Sequence, residues 1–75
     1  MLATEKQLSY LRDLSVRTER MKARYPALIP CWVVYVNPTC RQVGMTSEYA
    51  SALIRMHLKV QSNVRQTLAD RMITL

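Results

Sequence analysis

Residues 46–75 read TSEYASALIRMHLKVQSNVRQTLADRMITL, thirty positions without a proline or a glycine. Ala50, Leu53, His57, Val60, Val64, Leu68, Met72 and Leu75 recur at steps of three and four. That spacing keeps side chains on one face of an α-helix. Arg55 and Lys59 fall on the opposite side of the same wheel. Thr46 or Ser47 caps the start and Glu48 sits in the first turn, against the positive end of the helix dipole. One helix over 47–73 would be about 40 Å long, whereas a compact domain of this size has a radius of gyration of only about 11 Å. The helix therefore either breaks near Gln61-Ser62-Asn63, where Ser62 and Asn63 are good caps, or projects and pairs with a second copy. A homodimer is the expected assembly, two-fold symmetry being the commonest.

The rest of the chain has to cover that stripe. Thr4-Glu5-Lys6-Gln7 is a capping box: the Thr4 hydroxyl accepts from the Gln7 N–H, and the Gln7 side chain reaches back to the Thr4 N–H. Leu8, Leu11, Leu14, Thr18, Met21 and Tyr25 then form one stripe. Pro26 pushes Tyr25 out of helical geometry, so the spacing predicts a helix over 5–24.

Pro26 to Pro30 is a stiff connector, and Cys31-Trp32-Val33-Val34-Tyr35-Val36 is dense in β-branched and aromatic residues, a strand signature. Asn37-Pro38-Thr39 reads as a turn, and residues 41–44 as a short returning strand that sets Val34 against Val43 and Val36 against Arg41. The expected fold is a single α+β domain over residues 1–75. It has an N-terminal helix, a short β-hairpin, then one long or two shorter C-terminal helices, and is mainly α. A two-stranded hairpin is marginal alone, so it must lie on the helices. The expected core is Leu11, Leu14, Leu53, Val60, Val64 and Leu68, with Trp32 or Val34 from the strand.

Eleven Lys and Arg against five Asp and Glu give a net charge of +6, which argues for a polyanionic partner, nucleic acid before an anionic membrane. Solubility alone is the plain alternative. No apolar run approaches the ~18–20 residues that span a bilayer, and Glu5 and Lys6 stand where a signal peptide would turn apolar. Two cysteines are too few for a secreted disulfide scaffold, so a cytoplasmic location is expected.

Two pieces together resemble a small helical module carried by phage and plasmid proteins, often beside DNA-processing domains. Thr4-Glu5-Lys6-Gln7 with Tyr10-Leu11 and Leu14 matches its opening helix, and Thr46 with Ala50-Ser51-Ala52-Leu53-Ile54 matches its second half. Tyr49 stands where the module has Glu, and the segment between the halves is unusual. The resemblance covers about a quarter of the chain. It implies a phage or mobile-element origin, and hence the cytoplasm of a bacterial host, rather than a particular activity.

The chemistry-bearing residues are sparse. His57, the single histidine, lies in the apolar stripe and reads as a packed core or interface residue, with no nucleophile or carboxylate placed to use it. Cys31 and Cys40 with one distant histidine do not make a zinc site, sit too far apart along the strands to bridge, and read as buried thiols. The carboxylates Glu5, Asp13, Glu19, Glu48 and Asp70 are scattered, and the single glycine, Gly44, builds no phosphate loop. No enzyme, catalytic residue, metal or cofactor is expected.

Lys6, Arg17, Arg20 and Arg24 share the side of the first helix away from Leu11 and Leu14, interrupted by Asp13. Arginines at i, i+3 and i+7 present bidentate donors along two turns, a spacing that suits phosphates. It is also the spacing of an ordinary solvated face. Tyr10 flanks the cluster, to stack a base or to cover the core. The expected function is that of a non-enzymatic accessory protein binding nucleic acid through Lys6, Arg17, Arg20, Arg24, Arg55 and Lys59. The alternative is a phage-type inhibitor, such as an anti-CRISPR-like or polymerase-inhibitor protein, whose basic face docks on an acidic or nucleic-acid-binding surface of a host protein.

Overall fold

A computed structural model describes residues 1–36 and 44–74, with side chains through residue 71. Helix α1 runs Glu5–Arg24 and helix α2 runs Ser47–Thr74, with a single 3-10 turn at Pro26–Leu28. Both halves of the capping box form: the Gln7 N–H donates to Thr4 Oγ1 at 3.1 Å and the Thr4 N–H donates to Gln7 Oε1 at 2.9 Å. Helix α1 ends where Pro26 requires it, with Tyr25 leaving helical geometry at φ −134° and ψ 63°. Thr46 caps α2 by accepting the Tyr49 N–H at 3.1 Å.

The two helices run side by side in the same direction. Gln7 near the start of α1 bonds Ser47 and Ser51 near the start of α2. Thr18, a few turns on, meets His57 and Gln61. At the top, Leu2 and Thr46 form an isolated antiparallel bridge, with the Ala3 N–H on the Met45 carbonyl and the Ser47 N–H on the Met1 carbonyl. Parallel neighbours need a connection that travels back along them, and residues 29–36 climb the pair from its lower to its upper end. Ile29 and Val33 pack on Val60 and Val64 at the lower end, and Val36 packs with Leu11, Ala50 and Leu53 at the upper end. Leu11, Leu14 and Val64 lose essentially all their exposure, and a side chain so buried contributes roughly 1.5–3 kcal/mol.

The α+β expectation is overturned. Among the described residues there is no strand or sheet, and the β-hairpin is not present. Cys31 and Trp32 form a turn, and residues 33–36 are extended but pair with no ladder. Side chains take the place of a partner strand. The Val36 N–H donates to Ser15 Oγ at 2.8 Å, and the Val34 carbonyl faces His57 Nε2 at 2.9 Å. The β-branched residues fit because β-propensity rewards packing on a half-buried surface, and a groove between helices is one. The phase also differs from the expected one. Val33 and Val36 are buried, while Trp32 and Val34 face outward. The turn opens at Pro30, whose carbonyl accepts the Val33 N–H at 3.4 Å, and the buried positions Val33 and Val36 then stand three residues apart, so the segment does not alternate as a strand would.

Cys31 is exposed rather than a buried thiol. The Asn37–Thr39 turn, Cys40, Arg41 and Val43 lie outside the described residues, as do the side chains of Met72 and Leu75. Leu68 is only partly buried, against the lower cluster.

Helix α2 does not break. It is one helix of 28 residues, and the molecule measures 48 × 20 × 19 Å with a radius of gyration of 13.8 Å. Its continuity through Gln61-Ser62-Asn63 has a tertiary cause. Gln61 is 1% exposed and turns inward, with Nε2 at 3.0 Å from both the Leu14 carbonyl and Thr18 Oγ1. Ser62 and Asn63 stay on the solvent side and cap nothing. Beyond Leu68 the helix continues past α1, with Ala69, Asp70 and Arg71 exposed.

Candidate nucleic-acid interface

All six basic residues singled out in the sequence are exposed: Lys6, Arg17, Arg20 and Arg24 on α1, Arg55 and Lys59 on α2. The fold does not gather them onto one surface. Each set lies opposite the face its own helix buries, and those faces are turned toward each other and toward residues 29–36. The α1 stripe and the Arg55–Lys59 pair therefore look out on different sides of the molecule. A straight duplex lying along α1 meets the first set and misses the second.

The α1 stripe is held by a packed face directly behind it. Leu11, Leu14, Ser15 and Thr18 are 0–1% exposed, so the helix cannot roll under its arginines. The Arg24 guanidinium lies 5.9 Å from the Tyr25 ring centroid, which orients it at the end of the stripe. Tyr10 flanks the stripe at 45% exposure. Lys22 belongs to another direction, with its ammonium 5.4 Å from the Tyr35 ring centroid.

On the other side, Lys59 joins Leu28, Pro30, Trp32, Val60 and Asn63 around an open groove of about 140 Å³. Trp32 is 62% exposed there. This feature was hidden in the sequence, because a strand beginning at Cys31 offers Trp32 to the core as readily as to solvent. The one available signal was Pro30, a turn former immediately before the Cys-Trp pair.

Between the two surfaces runs a buried polar network. His57 is fully buried and touches three segments: its own helix, Thr18 of α1 at 2.9 Å from Nδ1, and the Val34 carbonyl at 2.9 Å from Nε2. A carbonyl only accepts, so Nε2 carries the proton and neutral His57 presents Nδ1 as acceptor. Thr18 then donates its one proton to Nδ1, although its oxygen also lies 3.0 Å from the Leu14 carbonyl. Gln61 Nε2 has two protons and covers both that carbonyl and Thr18 Oγ1. Every member is satisfied without a charge. Burial pushes the His57 pKa below its ordinary value of 6.5, and the hydrogen bond to Val34 opposes that in part. The arrangement is that of a structural clamp, since every hydrogen-bonding group on the imidazole is occupied by the fold. Burial, with the charge of Glu19 adding, pushes the Tyr35 phenol upward, so it stays neutral.

No group of three or more His, Cys, Asp or Glu is placed to hold a metal ion among the described residues. No helix among them is long and apolar enough to cross a membrane. Comparison with protein families, with curated proteins and with solved structures finds no match for this chain.

Proposed function

We propose that the protein is a non-enzymatic accessory protein of phage or mobile-element origin, acting in the bacterial cytoplasm and binding nucleic acid through the basic face of α1. The observation that carries this reading is the placement of Lys6, Arg17, Arg20 and Arg24 on one exposed stripe backed by a fully packed face. The backbone that carries the cations is already ordered, so a row of phosphates has only their side chains to fix, and guanidinium groups bond phosphate oxygens in pairs. The net charge of +6 draws any polyanion toward that stripe.

The test is the double variant Arg20→Ala with Arg24→Ala. Both residues are exposed on the side away from the core, so the variant is expected to stay folded and to melt within a few degrees of wild type, the Arg24–Tyr25 contact being lost. Binding to random duplex DNA should weaken equally across sequences. The slope of log K against log salt should flatten by roughly two, one unit for each lost phosphate contact. An unchanged slope would place the phosphate contacts elsewhere. Silence of wild type on duplex and single strands, with tight capture of one host protein, would instead favour the host-protein inhibitor.

A further inference from the structure

The groove beside Trp32 is separate from the α1 stripe and has its own character. Its floor is apolar, made by Leu28, Pro30 and Val60, with Lys59 and Asn63 on α2. No carboxylate lines it. Its volume of about 140 Å³ is well under the ~300 Å³ at which drug-sized or cofactor pockets begin, so it takes one flat ring and not a dinucleotide cofactor. Trp32 leaves more than half its surface in water, on a turn whose backbone is anchored. The turn that carries it is pinned by buried Ile29 and Val33 on either side, with Pro30 between Ile29 and the turn.

We propose that this groove takes a base of single-stranded nucleic acid, stacked on the Trp32 indole, with its phosphate on Lys59. The proposal rests on the nucleic-acid reading above and names a second ligand form for it. An indole face accepts any base, and each stacked base contributes by sequence-tolerant contact. Asn63 offers an amide to the base edge. Arg55 lies one turn before Lys59, about 6 Å along the helix axis, and meets the neighbouring phosphate. A paired base is unavailable for this contact, because its faces are already stacked within the duplex. The division of cations between two sides follows from this: the α1 stripe tracks a backbone, and the Trp32 groove reads an unpaired base.

Trp32 is the only tryptophan, so its fluorescence reports on the groove directly. The experiment titrates the full chain with a short oligothymidylate and with a duplex of equal length, at several salt concentrations. The expected result is saturable quenching by the single strand, with little quenching by the duplex. Trp32→Ala, read by anisotropy of a labelled strand, should lower single-strand affinity about 5- to 150-fold, the equivalent of the ~1–3 kcal/mol a stacked base contributes. Its duplex affinity should be unchanged. Lys59→Ala should flatten the single-strand salt slope by about 0.7. Since both side chains are exposed, both variants should melt with wild type.

Single-strand binding without quenching, or with full affinity in Trp32→Ala, would overturn the proposal and leave the nucleic-acid reading standing. Absence of binding to either nucleic acid would overturn both. Quenching by a host protein but not by the oligonucleotide would show that the indole is a protein anchor, and would overturn the proposal as well.

Discussion

Val64→Asp should abolish the folded state at room temperature. Val64 is 1% exposed and sits among Ile29, Val33 and Val60, where the returning segment meets α2. The substitution removes an apolar side chain and puts an ionised carboxylate in its place. The side chains that form the cluster with it, Ile29, Val33 and Val60, are apolar and offer the carboxylate no partner. An unpaired buried charge, added to the lost burial, costs more than about 4 kcal/mol. A domain of this size has roughly 4–11 kcal/mol of stability in total. Circular dichroism should show most helical signal lost, and urea should reveal no cooperative transition. Val64→Ala, in the same site without the charge, should stay folded and lose about 1–3 kcal/mol. A cooperative, wild-type-like transition in Val64→Asp would mean that residues 29–33 do not cover α2.

The second large effect is expected at His57. From α2 its imidazole hydrogen-bonds both α1 and the returning segment. His57→Ala opens a cavity and leaves the Val34 carbonyl short of its partner, while the Thr18 hydroxyl keeps the Leu14 carbonyl and the Gln61 amide. The expected loss is about 3 kcal/mol, read from urea midpoints at neutral pH. A loss below about 1 kcal/mol would show that water replaces the clamp.

The same residue sets a pH dependence whose sign is fixed. Because burial lowers its pKa in the folded state, the unfolded chain binds the proton more readily. The stability that neutral His57 contributes is complete above its unfolded pKa near 6.5. It falls as pH drops through 6.5 toward the lowered folded value. The fall is cushioned by the network itself. A protonated Nδ1 can donate to Thr18 Oγ1, whose own proton then turns to the Leu14 carbonyl. No other histidine titrates in this chain. The decline that sets in as pH falls through about 6.5 should therefore vanish in His57→Gln. A decline of equal size in the variant would assign it to other groups.

Helix α1 was legible from end to end, because its limits are written in local chemistry. Thr4 and Gln7 close the first turn on each other, and Pro26 ends the last through sterics alone. The start of α2 at Thr46 was legible for the same reason. What the sequence could not disclose depends on partners far along the chain. Gln61, beside Ser62 and Asn63, looks like part of a helix boundary until the Leu14 carbonyl is seen to need its amide. The Cys31–Val36 run looks like a strand until Ser15 and His57 are seen to bind its backbone. Both reversals come from polar side chains in otherwise apolar stripes, and a count of hydrophobic positions passes over them. For the candidate interface, periodicity sufficed to put Arg17, Arg20 and Arg24 on one face. That Arg55 and Lys59 face another way is a property of how α1 and α2 pack.

The parallel course of the two helices also governs when the protein can fold. An antiparallel helical pair closes through a short loop, so its contacts are nearly local. Here the side chains that join α1 to α2 are 39–47 residues apart in sequence. A loop of that size must close before either helix gains from the other, and an amphipathic helix draws most of its stability from such packing. High contact order slows folding toward the regime of mixed α/β domains rather than that of helical bundles. During synthesis at about 5–20 residues per second, the Leu8–Leu11–Leu14 stripe waits for seconds until His57, Val60 and Gln61 have been made. Until then the apolar face of α1 has nothing in α2 to pack against, so the pair can assemble only once the chain is nearly complete.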